Sequence, residues 1–238
     1  MVIAVCLLML NYLKYATSYQ AALEWWFAAT ADNPPAAMQQ FRQQPFFMLL
    51  GEAWWSGWHI VCFILIPVLV IKTVFHESLA NYGLGIGKLR KHAGWYLLLA
   101  APILCFVVMV SFRHDFSTHY PFYRLANRSW ADLLMWEMLY LSQFVCVEFF
   151  FRGFIIQACR PAFGVNAIFV MIVPYLMIHF TKPWLEATGA ILFGLFLGVL
   201  ALRTRTIWGG VLVHVSIAFS MDMAALIQTR GLPQQWWP

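Results

Sequence analysis

An acidic and a basic residue, Glu148 and Arg152, interrupt a long apolar stretch of this chain. Their spacing of four residues places both side chains on one face of a helix, with the acid nearer the N-terminus, which is the favourable order. Ionisable groups at membrane depth are unfavourable, so they usually face a protein interior or a wet cavity and mark a functional site. We therefore expect the chemistry of this protein to take place near Glu148.

Further ionisable residues follow in later apolar segments, namely His179, His214 and Asp222. One carboxylate and two imidazoles from different helices can converge inside a helical bundle. Together they can hold a water molecule as a general-base pair, or bind a divalent metal such as zinc. A second imidazole can donate a hydrogen bond to a developing oxyanion. Activated water at this depth suits hydrolysis of a peptide bond in or near the bilayer.

Each of these residues also has a purely structural interpretation. A single membrane His often bonds one helix to another, Glu148 and Arg152 could form an ion pair that joins two helices, and Asp222 near a helix end could be interfacial. Glu186 lies in a predicted first helical turn, where a carboxylate complements the helix dipole. Glu137 lies about three turns before Glu148 on nearly the same face. A proton-relaying transporter is a further alternative, although we find no inverted repeat or matched pair of broken helices.

The composition predicts an all-α, polytopic transmembrane helical bundle. Hydrophobic residues make up 62% of the chain and charged residues 11%, whereas soluble domains carry about 25% charged residues. Lipid permits only helices and closed barrels, and the long apolar runs are unlike the short alternating strands of a barrel. The length suits about six to eight membrane helices. The net charge of +5 is explained by basic residues that flank membrane spans, so we expect no nucleic-acid partner.

The pattern along the chain predicts the order of its elements. We expect a short first span at 2–17, an interfacial segment and turn at 18–45, spans at 53–73 and 94–112, a basic loop at 76–92 and a polar connection at 113–129. Later helices are predicted from Trp130 to about Arg160, over 165–180, from Pro183 to about Leu202, and over about 207–228.

Several signals define where these later helices begin and how they pack. Ser129 and Thr206 are expected N-caps. The small residues Ala190, Gly194 and Gly198, spaced four apart, predict close contact with another helix. We divide the chain into N-terminal membrane helices at 1–121, a core at 122–230 and a short tail at 231–238.

Positive charge is densest in two connections. One carries Lys88, Arg90 and Lys91, and the other carries Arg203 and Arg205. These loops are expected to share one side of the membrane, which the positive-inside rule nominates as cytoplasmic.

Three short motifs of the core resemble those of the CPBP family, the CAAX proteases and bacteriocin-processing enzymes. Over about 122–226 the chain shows Val147-Glu148-Phe-Phe-Phe-Arg152, then Tyr175-xxx-His179, then His214-xxx-Ala218. The family shows Glu-Glu-xxx-Arg, Phe-xxx-His and His-xxx-Asn/Asp in the same order. This family comprises glutamic-type intramembrane proteases related to the Ras-converting CAAX endoprotease.

The resemblance implies an intramembrane protease that cleaves a membrane-associated peptide or protein tail. Glu148 would act as the general base or a metal ligand, and it would work with His179 on the attacking water. His214 would stabilise the oxyanion or complete a metal site, so Glu148, His179 and His214 are also the candidate zinc ligands. Arg152 would orient Glu148 and hold it ionised. The implied location is a multi-pass protein of the bacterial inner membrane.

Two departures from the family motifs bear on activity. Val147 replaces the first Glu of the pair, and Ala218 replaces the Asn or Asp of the third motif. Asp222, one turn beyond Ala218, is the candidate replacement, with Glu186 as a further acid for the site. The alternative is a catalytically silent relative that acts in immunity, scaffolding or partner stabilisation.

Overall fold

The described chain is predominantly helical, as its composition predicts. The computed structural model describes residues 1–182 and 184–238, and Pro183, where a helix was predicted to restart, lies outside the described residues. No strand occurs in these two ranges. The helices, in chain order, are α1 Val2–Leu13, α2 Ala16–Thr30, α3 Pro34–Arg42, α4 Phe47–Phe75, α5 Leu89–Val110, α6 His114–His119, α7 Trp130–Glu148, α8 Ile156–Phe163, α9 Ala167–Met177, α10 Trp184–Thr204 and α11 Trp208–Thr229.

Membrane-spanning length and hydropathy are found in five helical runs of the described chain. These are Phe47–Phe75, Leu89–Val110, Trp130–Met177, Trp184–Thr204 and Trp208–Thr229. The pair α1 and α2, bent by 73°, raises the number to six if it forms one span. The polytopic helical class is thus confirmed, with five spans, or six with the bent pair, against the six to eight expected.

One expected span is shorter in the structure. The predicted span at 165–180 is the helix α9, whose 11 residues cover only about 16 Å, roughly half of a bilayer core. The segment 18–45, expected to be an interfacial segment and turn, is mostly helical, in α2 and α3, with a break at 31–33, and its interfacial position stays a prediction. The Ala, Leu, Gln and Glu residues of α2 are strong helix formers, and this propensity favours a helix over an irregular segment.

The described residues cluster into two compact units. Unit 1 contains Met1–Cys62, Ile103–Gln143 and Ile217–Pro238, and unit 2 contains Phe63–Pro102 and Phe144–Ser216. In unit 1, Val107, Phe116, Tyr120 and Ala225 form a buried apolar cluster.

The start of α7 in unit 1 confirms the predicted cap. Ser129 Oγ accepts a hydrogen bond from the backbone N–H of Asp132 at 3.1 Å and donates to Asp132 Oδ2 at 2.6 Å. Arg128 and Tyr123 each donate to Asp132 Oδ1 at 2.7 Å. This fully buried carboxylate is therefore well satisfied, as a buried charge must be, and it fixes where α7 begins.

In unit 2, the helices that carry the site residues pack through small and aromatic side chains. A Cβ atom added to Gly194 of α10 would lie 2.4 Å from Ile172 Cδ1 and 2.8 Å from Tyr175 Cδ1 on α9. The predicted small-residue stripe therefore does allow α9 and α10 to approach closely. Beyond α7, Phe150 stacks on Phe63 with ring centroids 4.2 Å apart.

The chain between α7 and α8 forms a π-helical segment at Phe149–Ile155, and every residue of it is buried. A π-helical turn is wider than an α-helical turn and is frequent at functional sites. Glu148 is the residue directly before this segment, and Arg152 lies within it.

Candidate active site

Glu148 and Arg152 form a buried ion pair in unit 2. Arg152 Nη1 lies 3.3 Å from Glu148 Oε1, and the two side chains are 0% and 1% exposed. The predicted i,i+4 pairing is therefore present in the structure, across the start of the π-helical segment. Because a lone buried charge is strongly unfavourable, each side chain needs the other as its opposite charge.

The same carboxylate oxygen also contacts His214 on α11. His214 Nδ1 lies 2.9 Å from Glu148 Oε1, and the His214 side chain is 11% exposed. Glu148 Oε1 thus lies within reach of a guanidinium from its own helical run and an imidazole from another helix. Two of the three predicted catalytic side chains, Glu148 and His214, share one site.

Tyr175 connects this pair with the third predicted catalytic residue. Its hydroxyl lies 3.3 Å from His214 Nε2, and the Arg152 guanidinium lies 3.9 Å from the centre of its ring. When the Tyr175 hydroxyl donates to Nε2, the ring proton of His214 lies on Nδ1 and faces Glu148. The motif comparison aligned Tyr175 with the family's Phe and gave it no role, so it missed this contact. The sequence did carry a signal for this contact, because Tyr175 adds a hydroxyl where the family's second motif has Phe.

His179 lies just beyond the end of α9 and is partly exposed. Its Nδ1 lies 2.9 Å from the Tyr175 carbonyl oxygen, so Nδ1 carries the proton and Nε2 is the basic nitrogen. Its ring contacts the Tyr175 ring at 4.7 Å. Burial lowers the pKa of His179, which favours the neutral ring. Tyr175 therefore touches Arg152, His179 and His214.

Aromatic rings hold the His214 imidazole in place. Phe144 stacks on it with ring centroids 5.4 Å apart and an interplanar angle of 15°. Phe193 of α10 contacts it edge-on at 5.0 Å and 81°. With a ring on each of these sides and a hydroxyl at Nε2, His214 is held in an orientation that keeps Nδ1 toward Glu148.

A glycine in the first turn of α11 makes room for the carboxylate. A Cβ atom at Gly210 would lie 2.2 Å from Glu148 Oε2 and 2.6 Å from Glu148 Cδ. The carboxylate therefore lies directly against the helix backbone near its N-terminus, where the helix dipole favours negative charge. Sequence inspection did not single out Gly210, because its importance depends on how closely α11 approaches Glu148.

The polar atoms at the centre of this site lack well-aligned partners. Within the described residues, Glu148 Oε1, His214 Nδ1 and all three Arg152 guanidinium nitrogens are buried and have no hydrogen bond. These atoms approach one another at ion-pair distances, but the angles between them are not those of hydrogen bonds. Buried polar groups in this condition normally have a bound water or ligand as partner, so the site suits a water molecule or a polar group of a substrate.

The same geometry determines whether these side chains could bind a metal ion. Among residues 1–182 and 184–238, no group of three His, Cys, Asp or Glu side chains is placed to hold a metal ion. His214 Nδ1 faces Glu148 and His179 Nδ1 faces a carbonyl oxygen. The three candidate zinc ligands are not arranged as a tripod, so zinc at this site stays a prediction that the described geometry does not favour.

The remaining predicted acids have other partners. Asp222 belongs to unit 1, and its Oδ2 accepts a hydrogen bond from Trp136 Nε1 at 2.7 Å. Glu186 pairs with Lys182 at 3.3 Å in unit 2. Glu137, in unit 1, is buried and neither of its carboxylate oxygens has a hydrogen bond among the described residues. The role of Asp222 as a replacement for Ala218 stays a prediction.

Comparison with known proteins identifies one family. Residues 128–220 match the family model described as Type II CAAX prenyl endopeptidase Rce1-like. The matched segment lies within the predicted core at 122–230 and covers less than half of the chain. No curated protein and no solved structure matches this chain. The resemblance to the CPBP family is confirmed for residues 128–220, the part of this multi-pass membrane protein that carries Glu148, His179 and His214.

Proposed function

We propose that this protein is an intramembrane endopeptidase that cleaves a membrane-associated peptide or protein tail. The observation that carries the proposal is the buried Glu148 oxygen, which lies within 3.3 Å of Arg152 and 2.9 Å of His214 and has no hydrogen bond among the described residues. Such a carboxylate can accept a proton from a water molecule. The family match over residues 128–220 supports the same class of reaction.

In the proposed mechanism, Glu148 and His179 activate the attacking water. Glu148 accepts the proton, and the neutral Nε2 of His179 orients or accepts from the same water, as a positioned general base does. Arg152 orients Glu148 and supplies the opposite charge that a buried carboxylate needs. Once formed, the protonated Glu148 can return its proton to the leaving amine.

His214 is proposed to stabilise the oxyanion of the tetrahedral intermediate. Its ring is held by Phe144, Phe193 and the Tyr175 hydroxyl. The donor is the Nδ1–H on the Glu148 side of the ring, and it is already oriented before the reaction begins. A preoriented donor is more effective than a mobile one, because little reorganisation is needed as charge develops. Tyr175 acts here as a positioning residue, through His214 and Arg152.

The substrate, partner and location complete the proposal. The partners are the lipid bilayer and a peptide or protein with a membrane-associated tail, with no role for nucleic acid. A prenylated CAAX tail, a leader peptide and a C-terminal sorting helix are the candidate substrates. The proposed location is the bacterial inner membrane.

The test is cleavage of a quenched fluorescent, farnesylated CAAX peptide by the purified full chain. We expect Glu148→Gln and His179→Ala to abolish cleavage while both variants still fold cooperatively. Glu148→Gln should unfold at a lower temperature than the wild type, because it leaves Arg152 buried without its anion. Glu77→Gln, an exposed acid of unit 2 outside the site, is the control and should cleave at the wild-type rate. Retained cleavage in either site variant would remove the mechanism.

The second candidate is a catalytically silent relative that acts in immunity, scaffolding or partner stabilisation. Val147 and Ala218, which depart from the family motifs, are the observation in its favour. This candidate predicts that variants of Glu148, His179 and His214 keep full biological activity in cells. The endopeptidase proposal predicts that all three lose it.

A further inference from the structure

Two loops of unit 2 are joined by backbone contacts. The N–H of Lys88 donates to the Thr204 carbonyl oxygen at 2.7 Å, and the N–H of Ile207 donates to the Gly83 carbonyl oxygen at 3.0 Å. At Gly87, whose φ is +53°, an added Cβ atom would lie 2.3 Å from the Thr204 oxygen. The loop before α5 and the loop between α10 and α11 therefore form a single surface.

This shared surface is strongly basic. Its five cationic side chains, which we call the basic surface, are all exposed: Lys88, Arg90, Lys91, Arg203 and Arg205. None of the five forms an ion pair with a described residue. A shallow depression in it is lined by residues 86–88, 90 and 91, including the exposed Ile86. The surface thus combines free positive charge with an apolar side chain.

The acids of unit 2 have partners away from the basic surface. This unit contains three carboxylates, from Glu77, Glu148 and Glu186, against nine Lys and Arg residues. Glu148 pairs with Arg152, Glu186 pairs with Lys182, and the Glu77 carboxylate interacts with the Tyr82 hydroxyl. Unit 1 contains seven acids and six Lys and Arg residues, so the net positive charge of the chain comes from unit 2.

The backbone at Arg205 supports a specific role for its side chain. Arg205 follows the end of α10 and has a φ of +56°. Helices commonly end with a residue in this left-handed conformation, and it is usually Gly, because a Cβ atom makes the conformation unfavourable. An arginine here keeps a cation on the basic surface at a position where glycine would be unstrained.

We propose that the basic surface binds the phosphate headgroups of anionic lipids such as phosphatidylglycerol. It lies at the ends of membrane helices, since α5 begins at Leu89, α10 ends at Thr204 and α11 begins at Trp208. Basic clusters directly beside membrane helices match the negative charge of the cytoplasmic leaflet. The exposed Ile86 and the long stems of the cationic side chains suit the acyl and glycerol region beneath the headgroup. This inference stands apart from the proposed peptidase activity.

The test measures lipid binding by the purified full chain in a neutral detergent. The probes are short-chain phosphatidylglycerol and phosphatidylcholine with the same acyl chains, and inorganic phosphate. The variant Lys91→Gln/Arg205→Gln removes one charge from each loop. The control Lys72→Gln/Arg160→Gln removes the same charge from exposed positions of unit 2 outside the basic surface.

We expect phosphatidylglycerol to bind more tightly than phosphatidylcholine and to be weakened by salt, as exposed charges are screened. The loop variant should lower the affinity for phosphatidylglycerol by about 30-fold, because each juxtamembrane cation contributes about a factor of five. The control should bind like the wild type, and all three proteins should unfold at the same temperature in phosphatidylcholine. Equal binding of the two lipids, equal losses in both double variants, or phosphate binding as tight as that of phosphatidylglycerol would each overturn the proposal.

Discussion

Replacing Gly210 by alanine should displace the Glu148 carboxylate relative to α11. The new Cβ atom would lie 2.2 Å from Glu148 Oε2, and ordinary contacts begin at 3.4 Å, so the carboxylate or the helix must move by about 1.2 Å to relieve the overlap. A misplacement of this size can reduce a catalytic rate by about 100-fold, which corresponds to about 2.7 kcal/mol in the activation free energy. Inside a helix, the change from Gly to Ala is itself favourable by about 0.5–1 kcal/mol.

The assay is kcat/KM on the farnesylated CAAX peptide, measured together with the thermal unfolding temperature. Gly189→Ala is the matched control, because Gly189 lies on α10 and has nothing within 4 Å of the added Cβ atom. We expect the control to cleave at the wild-type rate and to unfold at a slightly higher temperature. If Gly210→Ala also cleaves at the wild-type rate, the carboxylate does not need the position that the structure gives it, and the reasoning is refuted.

Four further outcomes are expected. Tyr175→Phe removes the hydroxyl at His214 but keeps the ring beneath Arg152. In steady-state kinetics kcat should fall about tenfold or more, and in thermal unfolding the stability should change by about 1 kcal/mol. Arg152→Met leaves Glu148 buried without its cation and should cost about 3–5 kcal/mol of stability in chemical denaturation. Asp222→Ala should cost about 1–3 kcal/mol, because it leaves a buried indole N–H unsatisfied; a lost kcat at unchanged stability would instead place Asp222 in the site. Cleavage should continue in the presence of a zinc chelator. If the chelator stops cleavage and added zinc restores it, the reaction depends on a metal.

The contact between Glu148 and Arg152 could be predicted because it depends only on helical periodicity. The meeting of His214 with Glu148 could be predicted because the three motifs resemble those of a known family. Tyr175 and Gly210 could not be singled out in this way. Their roles arise because α9 and α11 approach the π-helical segment closely. The spacing of residues within one helix does not predict which other helix will lie against it.

The limits of the membrane elements were predicted only approximately. Apolar runs fixed the spans now seen at Phe47–Phe75 and Leu89–Val110, and Ser129 correctly marked the start of α7. The break between α1 and α2, at residues 14 and 15, lies a few residues before the predicted boundary between 17 and 18. The π-helical segment was missed because its residues are as apolar as an ordinary helix, so composition carries no signal of the wider turn.

The central claim is that Glu148 and His214 act as one site, and a double-mutant cycle of cleavage rates tests it most directly. The proteins are the wild type, Glu148→Asp, His214→Gln and the double variant, each checked for an unchanged unfolding temperature. Side chains that act together are not additive, so the double variant should cleave no more slowly than the slower single variant. If the two losses multiply, or if neither single change slows cleavage, Glu148 and His214 do not share the catalytic step.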